Sequence, residues 1–160
     1  MTRDPIPFER ALSSWRIVLL WIFAYCLFHA VFRMGLSPVV SVDDVEQVVA
    51  AQRLSLTYGS ARPPLYTWML WWLSERLGAG LLPLTVLKYG LLAVTLVAVY
   101  GAGRILLERP AHAGLAMIGL GFLYLVGWQV HRGYTHTVAV LAASAVTLWI
   151  VAALGRRPSL

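Results

Sequence analysis

The sequence predicts an all-α integral membrane protein, and three observations support that fold class. Hydrophobic residues make up 59% of the chain and charged residues only 12%, whereas a soluble domain contains about 25% charged residues. The 160 residues are enough for about four spans of roughly 20 residues each. Short polar segments separate the longest apolar stretches. We therefore expect a single membrane domain, residues 1–160, with about four transmembrane helices and two short interfacial helices.

The net charge of +6 raises the question of a nucleic-acid partner, and the charge pattern argues against one. The basic residues are scattered singly or in pairs and form no continuous stripe. Basic residues that flank apolar spans fix their orientation and meet anionic lipid, so membrane lipid is the expected partner. The single cysteine, Cys26, cannot form an intramolecular disulfide, and no Cys/His cluster in the sequence has the spacing of a zinc site.

The first predicted span follows a short basic segment. No small-residue cleavage site comes after it, so we expect a retained signal anchor. A first outer loop, residues 35–80, comes next, and short connections join the later spans. The four predicted spans cover residues of about 15–34, 81–107, 111–130 and 137–154.

The first of the two interfacial helices is predicted just after residue 40. Ser41 lies three residues before Asp44, which is the spacing of a helix capping pattern. Behind this cap, valines recur at helical spacing, namely Val45, Val48 and Val49. This pattern predicts a short amphipathic helix that lies on the membrane rather than crossing it.

The second interfacial helix is predicted over residues 65–77. Pro63 and Pro64 precede it, and proline suits the start of a helix but resists any earlier continuation. An arc of about 100° on this helix carries three indoles, which is typical of an interfacial anchor. These are Trp68, Trp71 and Trp72.

The basic residues also predict the orientation of the chain. With the N-terminus inside, the inner segments carry seven basic residues and the outer segments six. The inner seven lie in short tails and one tight turn, where the positive-inside rule has most weight. We therefore expect cytoplasmic termini and an acidic loop on the outer side.

Three acidic residues of the first interfacial helix are the catalytic candidates: Asp43, Asp44 and Glu46. Asp43 and Glu46 share a helix face, whereas Asp44 points about 100° away. A carboxylate at the membrane surface acts as a general base towards a hydroxyl when its environment raises its pKa towards neutrality. The same oxygens would suit a divalent metal, and the simplest alternative is that the acids only cap the helix. The cofactor therefore stays open.

Basic and polar residues on the same predicted side are substrate-binding candidates. Arg62 is followed by two prolines that stiffen its backbone, and a planar guanidinium suits phosphate. Lys88 lies within the apolar second span, where an ionisable residue is a functional candidate by default. His136, at the entrance to the fourth span, would contact a substrate headgroup.

Three short patches, in this order, resemble a known family. VDDVEQ after the first span, PPLYTW in the outer loop and THTVAVLAA in the fourth span are similar to patches of the lipid-dependent class C glycosyltransferases. The nearest branch is family 39, with the protein mannosyltransferases and the aminoarabinose transferase of lipid A. The matching acidic pair is Asp43-Asp44, where the family typically has Asp-Glu, and Glu46 follows it. The matching proline signature is Arg62-Pro63-Pro64-Leu65-Tyr66.

The resemblance implies transfer of a sugar from a polyprenyl-phosphate carrier to an envelope acceptor. The reaction would take place at the outer face of a bacterial inner membrane, with the acidic loop on the periplasmic side. The acidic pair would then supply base or metal function, and the proline signature with its Tyr66 would bind substrate. Such enzymes continue with many more spans. The resemblance therefore also implies an N-terminal portion, which is either an inactive fragment or is completed by a second chain.

Two other functions stay open. In the first, the protein is a non-enzymatic four-span accessory or assembly protein whose acidic segment binds a partner. In the second, it is part of a transporter. The predicted spans contain no carboxylate, and ion coupling usually requires one there, so a transporter is the weaker alternative.

Overall fold

The computed structural model describes residues 6–36, 41–58 and 63–156. Within these ranges 83% of the residues are helical and there is no strand, which confirms the predicted all-α membrane fold. The helices are α1 (Pro7–Ser13), α2 (Trp15–Leu36), α3 (Val42–Ala50), α4 (Leu65–Leu77), α5 (Leu81–Leu106), α6 (Pro110–Gly121), a π-helical segment (Leu125–Gln129), α7 (Val130–Arg132) and α8 (Thr135–Gly155).

Three of these helices are long and apolar enough to cross a membrane. They are α2, α5 and α8, with 22, 26 and 21 residues. At 1.5 Å per residue each exceeds the roughly 30 Å of a hydrocarbon core. The third predicted span, residues 111–130, is not a straight helix, because α6 and the segment Leu125–Arg132 meet at 61°. If this bent pair is one broken span, the total is four.

Helix α5 is the axis of the fold. It packs against α2, α4, α6 and α8. In its most apolar stretch 56% of the residues are buried, compared with 17% in α2 and 22% in α8. The outer faces of α2 and α8 are therefore the broad apolar surfaces of the described chain.

Two apolar clusters hold the helices together. The larger lies between α2, α5, α6, the π-helical segment, α7 and α8; it contains Val18, Ile22, Cys26, Tyr89, Leu92, Leu96, Tyr100, Ala113, Met117, Val126, Val130 and Val138. The smaller fixes α4 and the end of α3 onto the start of α5; it contains Ala51, Tyr66, Leu70, Leu84 and Leu87.

Small residues let the helices approach closely, as is usual between membrane helices. Gly101 of α5 lies under the indole of Trp149 on α8, so that a Cβ at this position would overlap the ring. A Cβ at Gly103 would lie 2.9 Å from that of Ala113 on α6. Both contacts require residues without bulk.

The two ends of the helix bundle differ in composition. At one end α1 is tied to α5, since the Tyr100 hydroxyl donates to the Leu12 carbonyl at 3.1 Å. Arg104 Nη1 donates to the Ser13 carbonyl at 2.7 Å. The short helices α3 and α4 lie at the opposite end, beside the start of α5. That end carries the acidic residues singled out from the sequence.

Candidate functional site

Helix α3 is capped as its sequence predicts. The backbone N–H of Asp44 donates to Ser41 Oγ at 3.3 Å, which confirms the predicted capping residue. The helix is amphipathic, and its polar side faces the protein: Asp44 and Gln47 are 1% and 4% exposed. The outward side carries the exposed valines Val42, Val45 and Val49.

Asp44 is paired with Lys88. Lys88 Nζ lies 3.1 Å from Asp44 Oδ1, and the two side chains are only 5% and 2% exposed. Arg33 of α2 and Asp43 are the next charged groups that act on Lys88. A buried charge is tolerated only when it is paired, so each of the two side chains is the counterion of the other. The structure therefore joins a predicted catalytic residue to a predicted substrate-binding residue.

A second polar contact joins α3 to α4. Thr67 Oγ1 donates to Gln47 Oε1 at 2.7 Å, and both residues are buried. Because Gln47 and Asp44 are three residues apart, they lie on the same side of α3. This hydrogen bond ties α3 to α4, and the ion pair ties it to α5.

Tyr66 immediately precedes Thr67 in the sequence, and only 1% of it is exposed. Its ring centroid is 5.6 Å from that of His136 on α8, so the structure brings these two predicted substrate-binding residues together. Among the described residues, no group forms a hydrogen bond with the Tyr66 hydroxyl. Burial, and then the negative charge of Asp44, raises the pKa of Tyr66 well above its ordinary value. The phenol is therefore a neutral hydrogen-bond donor at physiological pH.

Asp43 occupies a different environment from Asp44. Its side chain is only partly buried. A Cβ built on Gly133 would lie 3.7 Å from Asp43 Oδ2 and 3.5 Å from Ser41 Oγ. Asp43 therefore faces the turn between α7 and α8. In that turn Tyr134 has φ of 58°, a left-handed conformation that is costly for a tyrosine and that occurs preferentially at functional sites.

The remaining predicted site residues lie at the edge of this arrangement or beyond the described chain. Glu46 is on the exposed side of α3. Pro64 is the N-cap of α4, and its carbonyl accepts from the N–H of Trp68 at 2.9 Å; Pro63 before it is exposed. Arg62 lies outside the described residues.

The carboxylates do not converge with other ligands on one point. In ranges 6–36, 41–58 and 63–156, no group of three or more His, Cys, Asp or Glu side chains is arranged to hold a metal ion. Of the two adjacent aspartates, Asp44 is buried and Asp43 is partly exposed.

A second polar cluster, deeper in the bundle, was not predicted from the sequence. Tyr25 Oη is 2.9 Å from His131 Nε2, and Tyr89 Oη is 3.2 Å from His131 Nδ1. The rings of His29 and His131 stack with centroids 4.1 Å apart. These residues are 42 to 106 positions from His131 along the chain, so their proximity has no local signature. The available signal was that His29 is an ionisable side chain in an apolar span.

Two proteins of Rhizobium johnstonii are similar to this chain. It is 28% identical over 144 residues to the lipopolysaccharide core galacturonosyltransferase RgtB, a match that covers 88% of the chain and 29% of RgtB. It is 32% identical over 141 residues to the lipopolysaccharide core galacturonosyltransferase RgtA, a match that covers 88% of the chain and 28% of RgtA. The chain thus spans less than a third of the length of these relatives. No family model matches the chain, and no solved structure does.

The similarity and the membrane-spanning helices lead to one coarse assignment. The chain is a glycosyltransferase-like, multi-pass membrane protein of bacterial type.

Proposed function

We propose that this chain forms part of a class C, family 39-like glycosyltransferase that moves a sugar from a polyprenyl-phosphate carrier to an envelope acceptor. The similarity to the two core galacturonosyltransferases supports a transferase. The names of these relatives lead us to propose galacturonic acid as the sugar and a lipopolysaccharide core as the acceptor. We further propose that additional spans, or a second chain, complete the donor site, because the relatives are more than three times as long as the matched segment.

The observation that carries this proposal is the contrast between two adjacent carboxylates. Asp44 is buried against Lys88, whereas Asp43 is partly exposed beside the turn that begins α8. A carboxylate that is buried against an ammonium in this way is not accessible to an acceptor hydroxyl. We therefore assign the role of general base to Asp43 and a positional role to Asp44 and Lys88.

In the proposed reaction, Asp43 accepts the proton of an acceptor hydroxyl. The hydroxyl oxygen forms a bond to the anomeric carbon of the sugar, and the bond from that carbon to the phosphate oxygen breaks. The carrier phosphate leaves with the electron pair and needs a nearby cation. Arg62 is the proposed cation, because its guanidinium suits phosphate and two prolines stiffen the backbone that follows it.

Tyr66 and His136 are the proposed contacts to polar groups of the substrate. Their rings lie together near α3, and the neutral Tyr66 phenol has a hydrogen to donate. In the alternative to a purely organic site, Asp43 would help to hold a divalent metal, which would supply positive charge for the leaving phosphate. Either arrangement would lie at the outer face of the bacterial inner membrane, with both termini in the cytoplasm.

A transfer assay tests this function. Membranes that contain the chain, together with the further spans or second chain proposed to complete it, are incubated with a labelled polyprenyl-phosphate galacturonic acid and a lipopolysaccharide core acceptor that lacks this sugar. We expect Asp43→Asn to lower transfer by about a hundredfold or more, the usual contribution of a general base. Glu75→Gln, an exposed acid at the far end of α4, is the matched control for loss of one negative charge.

Two results would contradict the proposal. Equal transfer by the wild-type chain and the Asp43→Asn variant would remove Asp43 from the mechanism. No transfer above that of empty membranes, with the carrier and acceptor both present in excess, would remove the transferase activity from this chain.

A further inference from the structure

A cavity of about 440 Å³ lies between α2, α5 and the bend that follows α6. Its walls are largely apolar and include Ile22, Leu96 and Met117. Trp21 and Phe122 also line it and are 49% and 86% exposed. Because α2 and α5 are membrane-spanning helices, these exposed side chains place the mouth of the cavity on the lipid side of the bundle.

One end of the cavity is polar. Tyr25 and His29 line it there, one helical turn apart on α2. The Tyr25 hydroxyl is already bonded to His131, and the His29 ring stacks on the His131 ring. Within the described part of the chain, the His29 nitrogens have no hydrogen-bond partner. An imidazole with hydrogen-bonding capacity left over, on a cavity wall inside a span, points to a polar atom of a ligand.

The bend beside the cavity is a third, independent observation. The helix is interrupted between Gly121 and Leu125, and the backbone of Gly127 lies directly against the Gly121 carbonyl. Both glycines line the cavity. Interrupted helices at membrane depth are tolerated where the freed backbone is buried or lines a cavity. The break and the cavity therefore belong to one local arrangement.

We propose that this cavity binds one acyl chain of a bilayer phospholipid, with the His29 imidazole donating a hydrogen bond to the ester oxygen at the head of that chain. This lipid site is separate from the residues of the proposed transfer reaction, and its test does not depend on that reaction.

The volume of the cavity favours a single acyl chain over a helix or a polyprenyl chain. At roughly 30 Å³ for each water-sized group, the cavity of about 440 Å³ accommodates about fifteen methylene-sized groups, the length of a single acyl chain. The cavity extends over about 12 Å of α2, from Trp21 to His29, at 1.5 Å per residue. A helix about 10 Å across would need roughly twice the available volume over that length, so a helical segment does not fit. A many-unit polyprenyl chain exceeds the cavity as well.

Photolabelling in vesicles tests the proposal. The protein is reconstituted in phosphatidylethanolamine and phosphatidylglycerol vesicles that contain a phosphatidylglycerol with a diazirine on one acyl chain, and labelled peptides are mapped. Met117 and Val126 of the cavity wall are only 6% and 3% exposed, whereas Val140 and Ile150 of α8 are 61% and 53% exposed. We expect the two wall residues to be labelled as strongly as the two exposed ones.

Two variants of α6 form a matched pair. A Cβ at Gly121 or at Gly119 meets nothing within 4 Å, but only Gly121 lines the cavity. We expect Gly121→Leu to lower wall labelling about tenfold and Gly119→Leu to leave it unchanged, with constant labelling of α8 in both. His29→Phe retains an aromatic ring but removes the donor, and should lower wall labelling about three- to tenfold.

Three results would overturn the proposal. The first is labelling that follows exposure alone, with α8 labelled and the wall unlabelled. The second is wall labelling that Gly121→Leu and Gly119→Leu affect equally. The third is displacement of the probe by a polyprenyl monophosphate at a lower concentration than by unlabelled phosphatidylglycerol, which would assign the cavity to an isoprenoid.

Discussion

The contact between Asp44 and Lys88 has consequences beyond the two side chains. A nine-residue helix such as α3 is too short to be stable by itself, so its position depends on its contacts. Removing one member of a buried ion pair leaves an uncompensated charge, which typically destabilises a protein by about 3–5 kcal/mol. Replacing both members by apolar residues avoids that cost. The pair therefore sets where α3, and with it Asp43, is held.

We expect Lys88→Met to lower the free energy of unfolding by about 3–5 kcal/mol. The double variant Asp44→Leu/Lys88→Met should recover most of this loss, since no unpaired charge remains. Arg132→Met, which removes an exposed cation, is the control and should change stability by less than about 1 kcal/mol. Detergent-unfolding titrations followed by tryptophan fluorescence measure all three. A double variant no more stable than Lys88→Met would show that the pair does not hold α3.

Tyr66 gives a pH-dependent expectation. Burial raises its pKa in the folded state, whereas in the unfolded chain it titrates near pH 10. Below about pH 10 the phenol is protonated in both the folded and the unfolded state. Above about pH 10 the unfolded state loses this proton while the folded state keeps it. The free energy of unfolding therefore falls as the pH rises. We expect a shallower fall for Tyr66→Phe between about pH 9 and 11. Melting temperatures measured across this range test it; parallel curves for the two proteins would contradict the shift.

The same side chains show which features of single residues could be predicted from the sequence. The cap at Ser41 is a local feature, and spacing along α3 is enough to predict it. The contact between Asp44 and Lys88 joins positions 44 residues apart, which no local periodicity encodes. The sequence therefore identified both residues as unusual without pairing them. For His29 and His131 it also gave no indication that two distant helices bring the rings together.

Among the helices, the bend after α6 is the main departure from the expected architecture. Hydropathy counts apolar side chains, and residues 111–130 are apolar apart from His112 and Gln129, so composition predicts one span. The interruption depends on backbone contact between Gly121 and Gly127, which hydropathy does not register. The chain resumes as a short π-helical segment, a form often found at functional sites.

A substitution at Gly127 tests the importance of this backbone contact. A Cβ at Gly127 would overlap the Gly121 carbonyl, so we expect Gly127→Ala to destabilise the protein by about 1–3 kcal/mol. Gly121→Ala is the matched control, because its Cβ meets nothing within 4 Å. Detergent-unfolding titrations compare the two variants. If Gly127→Ala is as stable as the control, the close approach of the two glycines is not required for the bend.

Across the whole molecule, composition is enough to predict the fold class, whereas the arrangement of the helices depends on contacts between distant segments. The central place of α5 depends on the close fits at Gly101 and Gly103 and on the polar contacts at its two ends. These fits follow from shape, and a list of apolar stretches contains no information on shape. Charge, by contrast, is visible in the sequence, and the folded chain gathers it at the ends of the bundle.

The distribution of charge gives the last expectation, which concerns orientation. The end of the bundle with α1 and the last turns of α5 and α8 carries five described arginines and two glutamates. These are Arg10, Arg16, Arg104, Arg109, Arg156, Glu9 and Glu108. The opposite end carries α3 and its acids. The described cations towards that end are equally numerous: Arg33, Arg53, Arg76, Lys88 and Arg132. The arginines of the first end, however, lie in short tails and one tight turn, where the positive-inside rule has most weight, and this favours the cytoplasm for the first end and the outer side for α3.

Cysteine labelling measures this orientation directly. The only native cysteine, Cys26, is buried and is replaced by serine in the starting protein. Val42 and Leu106 are 78% and 59% exposed and lie at opposite ends of the bundle. We expect a membrane-impermeant maleimide to label Val42→Cys in intact spheroplasts and to label Leu106→Cys only after permeabilisation. The reverse pattern would place α3 in the cytoplasm and exclude a reaction of Asp43 at the outer face, while the helical packing described above would be unaffected.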